Sequence, residues 1–310
     1  MRQPLSLVRQ RKRGGNSLKL RKSEERYAAG LLAPSMIVVF GVIIIPIITT
    51  FIYSIVNIDP LSSHTGEFAG LSFYIKALTS EAFWDDLGRT LYFTIASTAI
   101  ETVFGLMIAV LLNQKFPGVR FLRSIIIIPW AIPTVVNGSL WKLMLNGEYG
   151  VINALLQRMH IISSYQSWLG NPKTAMICII IADAWKMTPL AVIFFLAALQ
   201  GIDATVYEAA KVDGAGAWKS FRAITLPALK PTIMVIIVMR TVEKFKAFDI
   251  FYLMTRGGPA NSTKTLMYDT YLQAFTNLNY SEAATYAYLI AFVVAMMTMV
   301  YVKLMRREDA

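Results

Sequence analysis

The 310-residue chain is poor in cysteine, histidine and charge. Its single cysteine, Cys178, excludes a secreted scaffold held by disulfides. Two histidines, His64 and His160, are too few for a histidine-built zinc or haem centre, and both fall in connecting segments where no Ser/His or Cys/His constellation forms. Charged residues make up 16%, against ~25% for an ordinary soluble domain, while 55% are apolar. Mean hydropathy is +0.51. That is too little charge to cover a soluble globule of this size, and the same figures exclude disorder, collagen and coiled coil. A Gly-x-x-x-x-Gly-Lys-Ser/Thr loop is also missing, so the chain has no phosphate cradle of its own.

Long apolar runs are what the chain has in quantity. A hydrocarbon core about 30 Å thick needs about 20 apolar residues per helix. Six stretches meet or approach that length: Ala28–Val56, Thr90–Leu112, Ser124–Leu145, Thr174–Leu199, Thr232–Met254 and Ala283–Val302. The expected fold is an all-α membrane protein of six transmembrane helices. With a cytosolic N-terminus, the inside segments 1–27, 113–123, 200–231 and 303–310 hold nineteen Lys and Arg, against six in the outside segments. That bias places both termini in the cytosol. The chain then divides into a basic N-terminal segment (1–27), a membrane domain (28–305) and a short tail (306–310). The basic run Arg9–Arg26 acts as a topology signal that also attracts anionic lipid. A nucleic-acid arm is the other use of such a run. The apolar run behind it is too long, and lacks the small-residue site, for a cleaved signal peptide.

The longest inside connection, 200–231, reads as a helix–turn–helix. Asp203 caps a helix running to Val212, Gly214 and Gly216 end it, and a second helix starts near Trp218. Pro227 and Pro231 mark the return into the membrane. On physical grounds the loop suits either a groove in another protein or a lipid surface.

Ionisable residues inside spans cost at least about 2.5 kcal/mol each and normally face a cavity or a partner. Asp183, Lys186, Met187 and Leu190 share one face of the fourth span, at i, i+3, i+4 and i+7; Arg240, Glu243, Lys244 and Ala247 repeat the spacing on the fifth. Both sets lie near mid-depth and could line one polar cavity, or could lock two helices together through Asp183–Lys186 and Arg240–Glu243 pairs. Asn137, Trp141 and Trp185 are weaker candidates for cargo contact. Glu101 is expected to bond to a neighbouring helix, and Asp249, Gly257, Gly258 and Pro259 to form a turn.

The inside loop also carries a specific likeness. Glu208-Ala209-Ala210, Gly214, Ile224 and Leu226-Pro227 resemble the EAA loop of permease subunits of bacterial ABC importers. Phe245, Phe248-Asp249, Tyr252, Thr255, Gly257-Gly258-Pro259, Thr263, Thr265-Leu266 and Tyr271 resemble the maltose-type sugar-permease branch. The resemblance implies a type I ABC importer permease fold in the bacterial plasma membrane. It implies a second permease subunit, two cytosolic ATPase subunits that bind ATP and magnesium, an extracellular solute-binding protein and a sugar cargo, with no cofactor in this chain and no nucleic acid. Glu208, Ala209, Ala210, Asp213 and Gly214 would then couple to an ATPase. The family's sugar site maps onto Asp183, Lys186, Met187, Leu190, Arg240, Glu243, Lys244 and Ala247. The residue types depart from the amide, aromatic and small residues of that site, which counts against maltose itself. A polyol phosphate or other anionic cargo, and an ion-coupled carrier working alone, are the alternatives.

Overall fold

The computed structural model describes residues 6–58, 60 and 65–308, and the described residues contain no β-strand. The chain resolves into two compact units, 1–53 and 54–310. The first consists of most of the long helix α1 (Ser6–Ile55), whose apolar part begins at Gly30. Its side chains from Leu31 to Ile52 are largely exposed, as suits a helix surrounded by lipid or by a partner. The side chains of the basic run lie outside the described residues.

The second unit holds α2 (Ser72–Thr79), α3 (Glu81–Leu112), α4 (Val119–Ile126), α5 (Ile128–Ala131), α6 (Thr134–Met144) and α7 (Val151–Arg158). After these come α8 (Pro172–Gln200), α9 (Ala204–Val212) and α10 (Ala217–Ser220). A π-helical turn, Phe221–Thr225, leads without a break into α11 (Leu226–Phe245). The chain ends with α12 (Asp249–Met254), α13 (Leu266–Tyr271) and α14 (Tyr280–Glu308).

Among the described residues, five helical stretches are long and apolar enough to cross a membrane: 30–55, 81–112, 172–200, 217–245 and 280–303. The expected third span, Ser124–Leu145, is not one straight helix. Residues 119–131 and 134–144 meet at 93°. Pro133 has no N–H to continue the ladder, and it holds Ile132 extended at φ −73°, ψ 128°. The expected fifth span, Thr232–Met254, also breaks. α11 tightens at its end, where the N–H groups of Lys246 and Ala247 turn back to the carbonyls of Glu243 and Lys244. Asp249 then opens α12, its carboxylate near the positive end of the new helix.

α3 and α8 form the central pair. One core centres on Phe93, Ile179 and Phe251, a second on Ala109, Phe195 and Leu229, and a third on Phe83, Phe245 and Leu266. Gly105 sets how closely the pair approaches: a Cβ there would stand 2.6 Å from the Ala191 Cβ. Gly105→Ala is therefore expected to destabilise the protein by about 1–3 kcal/mol through overpacking. Melting of the purified protein in detergent should fall, and Ala191→Gly in the same chain should restore it. An unchanged melting temperature for Gly105→Ala would show that the helices separate freely.

At the end of α3 opposite Leu112, Lys264 lies 3.0 Å from Asp86 and 3.3 Å from Asp269, and Arg89 is 2.6 Å from Asp86. The Thr90 hydroxyl accepts the Leu266 N–H at 3.0 Å. Burial alone would lower the Lys264 pKa, but the two carboxylates outweigh it and raise the value. These contacts pin the loop before α13 to the rest of the bundle.

Candidate functional site

The two charged faces meet. α3, α8 and α11 bring Glu101, Asp183, Arg240, Glu243 and Lys244 into one network beside a cavity of about 240 Å³. Asp183, Met187, Arg240, Glu243, Lys244 and Ala247 line it, joined by Thr134, by Lys246 and Phe248 in the break after α11, and by Asp249 and Ile250 at the start of α12. Lys186 is buried on the same helix, does not line the cavity and forms no ion pair among the described residues. Leu190 is half-buried and also away from it.

The pairing is not the one that spacing suggests. Asp183 reaches across to Lys244 and not along its own helix to Lys186. The Arg240–Glu243 pair does form. The hub is Glu101, fully buried, whose Oε2 takes Arg240 Nε at 2.6 Å and whose Oε1 takes Lys244 Nζ at 2.6 Å. Lys244 also stands 5.3 Å from the centre of the Phe93 ring. Arg240 and Lys244 are each only 2% exposed, whereas the Glu243 side chain is 45% exposed. Among the residues that line the cavity, the acids Asp183, Glu243 and Asp249 balance the bases Arg240, Lys244 and Lys246. Asp249, expected only to form a turn, lies in the cavity wall.

The weaker candidates hold helices together. Asn137 donates from Nδ2 to the Ala182 carbonyl at 3.2 Å, fixing α6 to α8. Trp141 and Trp185 meet edge to face with centroids 6.0 Å apart. None of the three lines the cavity.

The connection between α8 and α11 takes the anticipated form. The Asp203 carboxylate accepts the Thr205 N–H at 2.9 Å and so caps α9. That bond holds the Asp203 carboxyl below the usual carboxylate range. Gly214 lies at φ +74°, in the left-handed region, while the Ala215 N–H returns to the Ala210 carbonyl at 2.8 Å and closes the helix. Glu208, Ala209, Asp213 and Gly214 are exposed and Ala210 is half-buried. Glu208 has no ion-pair partner among the described residues, so packing within the chain does not account for it.

A polytopic helical bundle, a charged cavity against its central pair and an exposed helix–turn–helix between two spans define a membrane permease subunit. The family described as "Binding-protein-dependent transport system inner membrane component" matches residues 101–307, and the chain belongs to it. The trehalose/maltose transport system permease protein MalF of Thermococcus litoralis is 37% identical over 295 residues, covering 94% of this chain and 98% of that protein. The sulfoquinovosyl glycerol transport system permease protein SmoG of Agrobacterium fabrum is 33% identical over 282 residues, 90% of each chain. A crystal structure of a bacterial ABC transporter involved in the import of the acidic polysaccharide alginate shares the fold at TM-score 0.80 and 22% identity. It spans 93% of this chain and 99% of that one. The protein is thus a multi-pass inner-membrane subunit of an ABC importer, with the type I permease fold; its part is transport and not catalysis.

Proposed function

We propose that the chain carries an uncharged di- or oligosaccharide through a binding-protein-dependent importer, with both termini in the cytosol. A second permease, two ATPase subunits that hold ATP and magnesium, and an extracellular binding protein complete the machine. The observation that carries the cargo class is the charge-balanced cavity. Its carboxylates, ammonium and guanidinium groups accept from and donate to hydroxyls, and they leave no net charge to hold an anion. The relative handling trehalose and maltose supports the same class. At about 240 Å³ the cavity is smaller than the ~300–1,000 Å³ of a typical ligand pocket. The second permease is expected to supply the missing wall. The exposed helix α9 then docks in an ATPase, presenting Glu208 to a basic residue there, with Ala209 and Ala210 permitting close approach, Gly214 forming the bend and Asp213 flanking it.

The test is ATP-driven uptake of labelled trehalose and maltose by the whole complex in proteoliposomes. A hydrogen bond to a charged group contributes about 1.5–3 kcal/mol. Asp183→Asn and Glu243→Gln should therefore weaken uptake ten- to hundredfold at unchanged complex yield. Normal uptake with reduced yield would assign these residues to helix locking and move the cargo site elsewhere.

A further inference from the structure

The coupling helix α9 is loosely held. Val206 and Val212 on it are 45% and 89% exposed. A cleft of about 600 Å³ separates its Tyr207 and Lys211 from Val110, Asn113 and Gln114 at the end of α3. Among the described residues, one side-chain hydrogen bond leaves α9 for another helix: the Tyr207 and Thr225 hydroxyls lie 2.8 Å apart, and either can donate to the other. Thr225 is buried and is the last residue of the π-helical turn that runs straight into α11. Fifteen residues further along that rod stands Arg240, followed by Glu243 and Lys244. At 1.5 Å per residue this is about 22 Å of continuous helix between the bond and the cavity.

We infer that the Tyr207–Thr225 hydroxyl pair is the positioning contact that makes α9 and α11 move as one body, so that displacement of the docked helix tilts the cavity-lining face of α11. A helix docked on one side and free on the other would rock in its cleft without moving the cavity. Tyr207 and Thr225 lie inside the EAA loop but outside the residues that carry its likeness. The inference rests on the docking role of α9 proposed above.

The test has two readouts on the assembled complex. The first is the distance distribution between spin labels at Val212→Cys and Ala228→Cys, both exposed positions, with and without ATP. It should be narrow in the otherwise unchanged chain and in Thr225→Ser, which keeps the hydroxyl. It should broaden in Tyr207→Phe and Thr225→Val, and no further when the two are combined. The second is ATP hydrolysed per molecule of trehalose or maltose imported, which should rise about three- to tenfold in the same two variants and stay normal in Thr225→Ser. Narrow distributions in Tyr207→Phe and Thr225→Val would overturn the inference. Loss of assembly in both would overturn it too, because the bond would then be a folding contact. A complex that imports neither sugar counts against the cargo reading alone, since the spin-label distances report the linkage without any cargo.

Discussion

Glu101→Gln is expected to lose about 3–5 kcal/mol of stability, the cost of removing one partner from a buried ion pair. Both cations that Glu101 holds are almost fully buried, so water cannot replace the lost charge. Arg240 keeps Glu243 and Lys244 keeps Asp183, which places the effect toward the lower end of that range. A second change, Lys244→Met, removes the excess positive charge and should recover part of the loss. The measurement is the half-life of the detergent-solubilised complex at a fixed raised temperature. A Glu101→Gln complex as long-lived as the parent would show that the network contributes nothing to holding α3 against α11.

Glu208→Lys is expected to reduce ATP-driven uptake to background. An exposed carboxylate without an internal partner carries no burden of folding, so yield of the membrane subunit should hold. A lysine facing a basic residue would repel where the glutamate attracts, and like charges brought together on docking cost several kcal/mol. Co-purification of the ATPase subunits should therefore fall with uptake, while the extracellular binding protein keeps its affinity for sugar. Gly214→Val should act in the same direction more weakly, because a β-branched residue at φ +74° costs about 1–2 kcal/mol. Normal uptake by Glu208→Lys in an intact complex would dissociate this loop from the ATPase.

What could be read from sequence was local. α9 was legible from end to end because Asp203 at its start and Gly214 past its close act within a few residues of themselves. The charged faces of α8 and α11 were legible for the same reason, through helical periodicity. Their pairing was not. Asp183 chose Lys244 over Lys186, a choice made by the approach of two helices and not by spacing. Glu101 lies 139 residues from Arg240, and a single mid-span acid gives no sign of which helix it faces. The break at Ile132–Pro133 did have a signal, since Pro129 and Pro133 stand inside the apolar run; hydropathy counts side chains and overlooks the missing N–H. The 246–248 break was hidden likewise by the apolar flanks on either side of it.

The right-angled turn between α5 and α6 has a consequence for the solvent around the protein. α6 opens behind Pro133, with no side chain capping it, so the first N–H groups from Thr134 onward have no helical acceptor. Hydrocarbon offers none either, and an unmet backbone donor in lipid costs several kcal/mol. Backbone of this kind is tolerated at membrane depth only where protein covers it or water reaches it, and here Thr134 borders the cavity. Thr134 and the open N–H groups behind it thus give the cavity a polar threshold on a largely apolar helix.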